Sequence, residues 1–422
     1  MASPLDVSGL TDRLFREESG RLVATLTRLF GVEHLNLAED VVQEALARAL
    51  KVWPFYGVPK NPSAWLTQVS KNLALDVMRR EQSFRGKEEA IIAFVEHSTE
   101  PAPGEANDHE IRDDRLRLLF VCCHPHLGQE SQVALALKTL CGFSTVEIGK
   151  AFLTTEASIA KRLTRAKQRL RDDAIPFEIP GGPDLAERVE AVTQTLYLLF
   201  NEGYKASGGD RLVREELCSE AIRLMLLLVE HPAGNQPSSH ALLALMLFNA
   251  ARLRARVDED GNLLLLEYQN RAHWNVEMIA RGMEHLRRSA TGDLLSEYHF
   301  QAAIAACHCS APDYAATDWR QILALYDRLV ALDNSPVVAL NRAIALANVR
   351  GPAEGLAAIE AIVDRDKLEA YYLYYAVLGD FAARLDRSKA AAEYFGQALR
   401  LAETKSEQDF LRKRQRECEA KM

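Results

Sequence analysis

The chain has few of the residues that interrupt regular structure. Its 422 residues include 22 glycines and 15 prolines, while 48% are hydrophobic and 26% charged, which excludes a disordered or low-complexity chain. The longest apolar runs, 224–229 and 242–248, are far shorter than the roughly 20 residues that span a bilayer. The first ten residues lack the basic head and apolar core of a secretory signal, so we expect a cytoplasmic protein with no membrane partner.

Catalytic and metal-binding signatures are also missing. The sequence contains no phosphate-binding glycine loop, His-Glu-x-x-His or Gly-x-Ser-x-Gly, so we expect no enzymatic activity and no cofactor. Seven scattered cysteines do not suggest a disulfide framework. Two clusters contain metal-ligand residue types: Cys122, Cys123, His124 and His126, and Cys307, His308 and Cys309. Because neither cluster has paired Cys-x-x-Cys spacing, we expect structural burial and no metal.

Acidic residues are concentrated in part of the chain. The net charge is −8, from 51 basic and 59 acidic residues. Residues 1–175 carry 23 basic and 24 acidic side chains, but seven of these acids lie in 88–110, which has no Lys or Arg. Without that stretch the amino-terminal part has a net charge of +6, whereas 176–422 has −7. A basic face that suits nucleic acid is therefore compatible with the acidic total.

Hydrophobic periodicity indicates helices through almost the whole chain. Apolar residues recur near every 3.6 residues, as at Leu37, Val41, Ala45 and Ala49. This period predicts an all-α fold. One exception is 255–269, where an Asp-Gly pair fits either a small hairpin or a surface loop. Prolines and glycines interrupt the helical pattern at 88–110 and 175–183, which predicts a linker and a second domain boundary.

The carboxy-terminal part contains matches to the roughly 34-residue tetratricopeptide (TPR) repeat. Small residues and a terminal proline match at Ala324, Ala331 and Pro336, and a better match has Gly379, Ala391, Phe395 and Ala398. Ala343 stands 36 residues before Gly379, where the template requires a small residue. We interpret these segments as TPR-like repeats, with an ordinary helical bundle as the alternative.

Residues 144–171 contain the clearest local signal, two short helices separated by a turn. Ser144 and Glu147 form a capping box, and Thr155 fits a second helix cap. The apolar side of the second helix consists of Ile159, Leu163, Ala166 and Leu170. From Thr155 to Arg171 six basic residues stand against one acid, a net charge of +5. The pattern predicts a DNA-binding helix-turn-helix, and the alternative is a solvated basic helix on a bundle surface.

A second basic segment, 71–87, follows a stretch that is rich in aromatic residues. The aromatic residues are Trp53, Phe55, Tyr56 and Trp65. Aromatic rings beside cations suit the unstacked bases of single-stranded nucleic acid. Rings near a helix junction equally suit a hydrophobic core, so this segment alone does not identify a site.

Four segments in this order resemble a bacterial extracytoplasmic-function (ECF) sigma factor: LAEDVVQEALARALKVWP, PSAWLTQVSKNLALDVMRR, LRLLFVCCHPHL and the basic helix-turn-helix. The remainder, with YLLFNEGY at 197–204 and DWRQILALYDRL from residue 318, is similar to the long extension of one ECF group that ends in TPR-like repeats. The resemblance implies the following domains: sigma region 2 at 10–87, an acidic linker at 88–110, sigma region 4 at 111–175, a helical extension at 184–315 and TPR-like repeats at 316–422.

The resemblance also implies a function, namely binding of core RNA polymerase and initiation of transcription at a two-part promoter. Polymerase contacts are implied at Asp40, Gln43 and Glu44. Contacts to an opened minus-10 element with a flipped base are implied at Trp65, Lys71, Asn72, Arg79 and Arg80. Contacts to the minus-35 element are implied at Glu156, Ser158, Lys161, Arg162 and Arg165.

The helix-turn-helix departs from the pattern of many family members. It has Leu153 in place of a Gly, and Ser-Ile-Ala-Lys-Arg at 158–162 in place of Thr-Val-Lys-Ser-Arg, so the resemblance does not imply a base preference. The acidic linker suits either the basic RNA channel of the polymerase or a solvated tether.

We expect the extension to act as a sensor or internal regulator that binds a protein or a ligand. The competing hypotheses are a conventional helix-turn-helix regulator with a TPR-like interaction domain, and a pure TPR scaffold, which leaves the helix-turn-helix unexplained.

Overall fold

The computed structural model describes residues 18–80, 105–152, 154–181, 184–204, 215–256, 258, 264–292 and 294–422. Within these ranges every regular element is a helix and no strand occurs, which confirms the predicted all-α fold. The chain divides into two compact units, 1–198 and 199–422. No helix in the described ranges is long and apolar enough to cross a membrane.

The first unit begins with three α-helices. They are α1 at residues 18–30, α2 at Leu35–Tyr56 and α3 at Pro62–Arg80, with a short 3₁₀ turn at Val32–His34. Helix α2 buries a stripe at the predicted helical spacing, formed by Leu35, Ala38, Val41, Val42, Ala45, Leu46, Ala49 and Trp53. This stripe leaves the opposite side of α2 in solvent.

Four further helices follow in the first unit: α4 at Glu105–Cys122, α5 at Gln129–Thr139, α6 at Thr145–Ala151 and α7 at Glu156–Asp172. Helix α4 begins inside the segment 88–110 that the sequence predicts as a linker. Acidic residues near a helix start stabilise the positive end of the helix dipole, and the sequence EANDHE at 105–110 supplies three of them. The rest of the predicted linker, 88–104, lies outside the described residues.

Helix α8 spans Asp184–Tyr204, and its residues 184–198 belong to the first unit. Arg188 Nη2 donates a hydrogen bond of 2.7 Å to the carbonyl of Phe120. The Thr195 hydroxyl donates one of 2.7 Å to Gln132 Oε1. The division between the units therefore falls within α8 and not at 175–183, where the sequence predicts it. Prolines there stop one helix, but they do not prevent the next helix from packing on the preceding domain.

A buried helix organises the first part of the second unit. Its helices are α9 at Glu215–Glu230, α10 at Pro237–Ala250, α11 at Val276–Ser289 and α12 at Glu297–Ser310. Every residue of α10 from 239 to 248 is buried, and α10 packs against α9, α11 and α12. A helix that is apolar all round belongs in the centre of a bundle.

The rest of the second unit is a succession of helices, each packed chiefly on the preceding and following ones. They are α13 at Trp319–Leu332, α14 at Pro336–Arg350, α15 at Pro352–Glu360, α16 at Tyr372–Arg384, α17 at Ser388–Leu401 and α18 at Lys405–Glu419. This arrangement is typical of repeat proteins. The small residues of the better template match, Gly379, Ala391 and Ala398, are buried, whereas Ala324 and Ala331 are exposed.

Candidate functional site

One side of α2 is acidic and exposed. Asp40, Gln43 and Glu44 lie on the surface, opposite the buried stripe. Asp40 and Glu44 are one helical turn apart. Arg48 Nε donates to Glu44 Oε1 at 3.0 Å, with both side chains about half exposed, and such a pair holds the carboxylate only weakly. Helix α2 therefore presents carboxylates that a basic partner can reach.

The end of α2 exposes two aromatic rings and buries a third. Phe55 is 85% exposed and Tyr56 is 86% exposed. Trp53 is buried, and its ring packs edge-to-face on half-buried Trp65 with the centroids 5.5 Å apart. Gly57 ends the helix at a φ of +82°, which glycine adopts without steric cost. Phe55 and Tyr56 thus stand in solvent, whereas Trp65 belongs partly to the core.

The predicted nucleic-acid contacts on α3 have different environments. Asn72 is exposed, and its Oδ1 accepts a hydrogen bond of 3.2 Å from the side-chain amide of Gln68. Lys71 is only 5% exposed, so the structure does not bring its ammonium to the predicted surface. The reason is that Lys71 falls on the buried side of α3, next to Ser70. The side chains of Arg79 and Arg80 lie outside the described part of the chain.

Residues 144–172 form the predicted helix-turn-helix. Ser144 Oγ accepts from the Glu147 N–H at 3.2 Å, and the Glu147 carboxylate accepts from the Ser144 N–H at 2.8 Å. Thr155 Oγ1 accepts from the Ser158 N–H at 3.2 Å. These hydrogen bonds satisfy backbone donors that a helix start leaves unpaired. Both predicted helix starts are therefore confirmed.

Helix α7 has one buried side and one basic surface. The predicted apolar residues, Ile159, Leu163, Ala166 and Leu170, are all buried. Among the predicted DNA contacts Glu156, Lys161 and Arg165 are exposed, whereas Ser158 and Arg162 are half-buried. The exposed basic residues are available to an anionic partner such as phosphate.

Two of these residues are bonded to neighbouring helices. Arg162 Nη2 lies 2.5 Å from Glu130 Oε2 of α5. Glu156 Oε1 accepts a hydrogen bond of 2.8 Å from the hydroxyl of Thr145 on α6. The ion pair with Glu130 partly neutralises the charge of Arg162, which makes it less available to an anionic partner than Lys161 and Arg165.

Helix α7 also contacts α2 through an ion pair that the sequence does not reveal. Lys167 Nζ lies 2.7 Å from Glu39 Oε2 and 2.9 Å from Asn36 Oδ1. The side chains of Lys167 and Glu39 are 11% and 9% exposed. Glu39 directly precedes Asp40 of the exposed acidic surface. Since 128 residues separate the two partners, no local sequence pattern pairs them.

The Cys-His cluster at residues 122–126 is mostly buried. Burial raises the thiol pKa of Cys122, and it raises that of Cys123 to about 12. Burial also lowers the pKa of His124 to about 4. His126 Nδ1 lies 2.9 Å from Asp173 Oδ2. Across the described ranges no group of three or more ligand-type side chains is placed to hold a metal ion.

Two protein families match parts of the chain. Sigma-70 region 2 matches residues 14–84, which contain helices α1 to α3. A family of unknown function, DUF6596, matches residues 188–290, from α8 to the end of α11. The first match includes the exposed acidic surface of α2 and the exposed rings at its end.

Similar proteins match either most of the chain or a smaller part of it. An uncharacterized protein of Rhizobium meliloti is 41% identical over 393 residues, which are 92% of this chain and 91% of that protein. The ECF RNA polymerase sigma factor SigE of Mycolicibacterium smegmatis is 29% identical over 38% of this chain. The ECF RNA polymerase sigma factor SigG of Mycobacterium tuberculosis is 26% identical over 51% of it. Each of these two matches spans 60% of the sigma factor. No solved structure matches the chain.

Proposed function

The chain belongs to the ECF sigma factors, in a group with a long carboxy-terminal extension, and we propose that it binds core RNA polymerase and directs initiation at promoters with minus-10 and minus-35 elements. It works in the cytoplasm and catalyses no reaction itself. The sequence similarity to ECF sigma factors and the region 2 match support this proposal over a conventional helix-turn-helix regulator, which has no need of region 2.

The observation that carries the proposal is the acidic surface of α2. It lies within the region 2 match and holds Asp40, Gln43 and Glu44 in solvent while the other side of the helix is buried. Two carboxylates one turn apart suit a basic partner helix, because opposite charges steer association and fix its register. We assign this surface to the polymerase.

Promoter opening is assigned to the end of α2 and to α3. Phe55 and Tyr56 are solvent-exposed rings, which suit stacking on bases that have left the duplex. Asn72 offers an exposed amide on the next helix. Trp65 supports Trp53 and therefore acts by positioning.

Reading of the minus-35 element is assigned to α7. Lys161 and Arg165 are exposed on a helix that follows a capped turn, and such a helix fits the major groove. Glu156 and Ser158 stand in its first turn, where base edges are contacted. Arg162 is half-buried and paired with Glu130, so we assign it a weaker contribution than Lys161 and Arg165.

We assign a regulatory role to the extension, residues 184–422. Its helices α13 to α18 stack in succession, an arrangement that forms extended binding surfaces in repeat proteins. Its net acidic charge makes a second nucleic-acid site there unfavourable. A protein or a small ligand is therefore the partner we expect for the extension.

A pull-down with purified core polymerase tests the proposal. Asp40→Arg combined with Glu44→Arg should reduce association, because like charges repel at a basic partner surface. Glu187→Arg combined with Glu190→Arg is the matched control, since both residues are exposed acids on α8. If core polymerase retained the two double variants equally well, the assignment of the acidic surface of α2 to the polymerase would be wrong.

A further inference from the structure

Three arginine side chains of the second unit meet around two aromatic rings. Arg252 Nη2 donates to the Tyr204 hydroxyl at 2.7 Å, and the Arg256 guanidinium lies 3.8 Å from the centroid of the same ring. Arg252 and Arg271 both lie over Trp274, at 5.7 Å and 4.4 Å from its centroid. The shared rings make Arg252, Arg256 and Arg271 one group, here called the arginine cluster.

Among the described residues, the arginine cluster forms hydrogen bonds with neutral acceptors. Its hydrogen bonds go to the Tyr204 hydroxyl and carbonyl, the Asn249 side chain and the carbonyls of His308 and Ala311. Among the described residues no carboxylate forms an ion pair with Arg252, Arg256 or Arg271. Burial and the neighbouring Arg252 lower the pKa of Arg271. The three arginines are half-buried, and the carboxylate of Asp313 acts on Arg271 through space without a hydrogen bond or an ion pair. Three guanidinium groups close to one another, with no bonded carboxylate in the described part of the chain, make this a positively charged place.

Hydrogen-bond donors without acceptors occur at the same place. The Trp274 side chain is buried, with the residue 5% exposed, and its Nε1 has no hydrogen-bond partner. Arg271 Nη2 is likewise buried and without a partner. His308 Nδ1 is also buried without a partner, and it donates or accepts according to the tautomer of the ring. The carbonyl of His308 accepts from Arg271. Native proteins leave few buried donors unsatisfied, and here two N–H donors belong to residues in direct contact.

We propose that the arginine cluster and Trp274 bind a small oxyanion, a carboxylate or a phosphate. Its oxygens would accept from Trp274 Nε1 and Arg271 Nη2, and Arg252 and Arg256 would supply further positive charge. An oxyanion matches these groups because guanidinium forks and indole N–H groups donate only. The site lies in the extension, and the inference stands whether or not the extension regulates transcription.

Calorimetric titration of the full-length protein tests the site, with inorganic phosphate and citrate as separate probes at matched ionic strength. Saturable binding of at least one probe is expected. Trp274→Phe keeps a ring and removes only the N–H, and it should weaken binding about tenfold, the worth of one hydrogen bond to a charged group. Arg252→Gln should weaken binding at least as much.

Arg384→Gln is the matched control. Arg384 also lies over an aromatic ring, that of Phe381 at 5.8 Å, and donates to a backbone carbonyl, but it has a carboxylate partner in Asp380. This variant should bind the probe with unchanged affinity.

The outcome decides both the site and the ligand class. Binding of phosphate alone identifies a phosphate site, and binding of citrate alone identifies a carboxylate site. Absence of saturable binding for both probes would overturn the proposal. Unchanged affinity in folded Trp274→Phe and Arg252→Gln would overturn it as well. Because the readout is binding, failure here is distinct from failure of the sigma-factor assignment.

Discussion

Lys167 of α7 forms a nearly buried ion pair with Glu39 of α2, with 2.7 Å between Nζ and Oε2. The contact joins the helix assigned to the minus-35 element to the helix assigned to the polymerase. Removal of one partner from a buried pair leaves an uncompensated charge, which costs more than the pair itself contributes. The contact therefore fixes how α7 sits on α2.

A double-mutant cycle measures this coupling. Lys167→Met should lower the free energy of unfolding by about 3 to 5 kcal/mol, since it leaves Glu39 buried without its cation. Adding Glu39→Gln to Lys167→Met should recover part of that loss. Urea denaturation of the full-length protein gives each value.

The exposed pair of Arg48 and Glu44 on α2 is the control for this cycle. Its coupling energy should stay below about 1 kcal/mol. If the effects of the substitutions at Lys167 and Glu39 were simply additive, the predicted coupling energy between the two side chains would be contradicted.

Stability should fall as the pH drops from about 6.5 towards 4. Burial lowers the pKa of His124 and of His285 to about 4 in the folded protein, from an ordinary value of 6.5. The unfolded chain then binds more protons than the folded one across that window, so acid favours unfolding. Each histidine contributes at most about 1.4 kcal/mol per pH unit.

Urea denaturation at pH 7 and pH 5 tests this pH dependence. His124→Gln should reduce the loss of stability between the two pH values. His273→Gln, at an exposed histidine, should leave the loss as it is. An identical pH dependence in the His124 variant and the wild type would contradict the assignment.

Promoter affinity should depend more on Lys161 and Arg165 than on Arg162. The first two are exposed, whereas Arg162 is half-buried and paired with Glu130. Alanine at a base-contacting position should relax preference at one base pair by about 1 to 3 kcal/mol. Alanine at a phosphate-contacting position should weaken binding to all DNA sequences alike. It should also reduce the slope of log K against log salt concentration by about one.

Fluorescence anisotropy with promoter DNA, repeated at several salt concentrations, separates these effects. Arg400→Ala, at an exposed arginine of α17, is the charge-matched control and should change nothing. Loss of affinity only in the control would place DNA binding outside α7.

Removal of the extension should alter transcription. The sequence suggests a cut after Ile175, but residues 184–198 of α8 belong to the first unit, to which Arg188 and Thr195 donate hydrogen bonds. A fragment that ends at Tyr204 should therefore be more stable than one that ends at Ile175. We expect the longer fragment to lose activity, because an extension that only blocked DNA would need a separate release signal.

Run-off assays at matched concentrations compare the Tyr204 fragment with the full chain. Thermal unfolding of both fragments provides the stability comparison. Equal transcription activity of the fragment and the full chain would show that the extension does not control transcription under these conditions.

Local chemistry accounts for what the sequence predicts well. The capping box at Ser144 and Glu147, the cap at Thr155 and the buried side of α7 depend on residues within one or two helical turns. The sequence predicts each of these features because the interacting residues are near neighbours in the chain.

Long-range packing accounts for what the sequence does not predict. Lys71 is buried because it lies on the side of α3 that packs against the rest of the protein. From the residue type alone a lysine is expected to be exposed. The Glu39–Lys167 pair joins residues far apart in the chain. The unit boundary within α8 depends on the bonds of Arg188 and Thr195 to the preceding domain.

The most direct test of the central claim is run-off transcription with purified core RNA polymerase and a library of promoter templates. Core polymerase with the full-length protein should produce discrete transcripts from a subset of templates, and the Asp40→Arg, Glu44→Arg variant should produce far fewer. A protein that binds DNA in this assay but yields no transcripts beyond those of core polymerase alone would contradict the sigma-factor function.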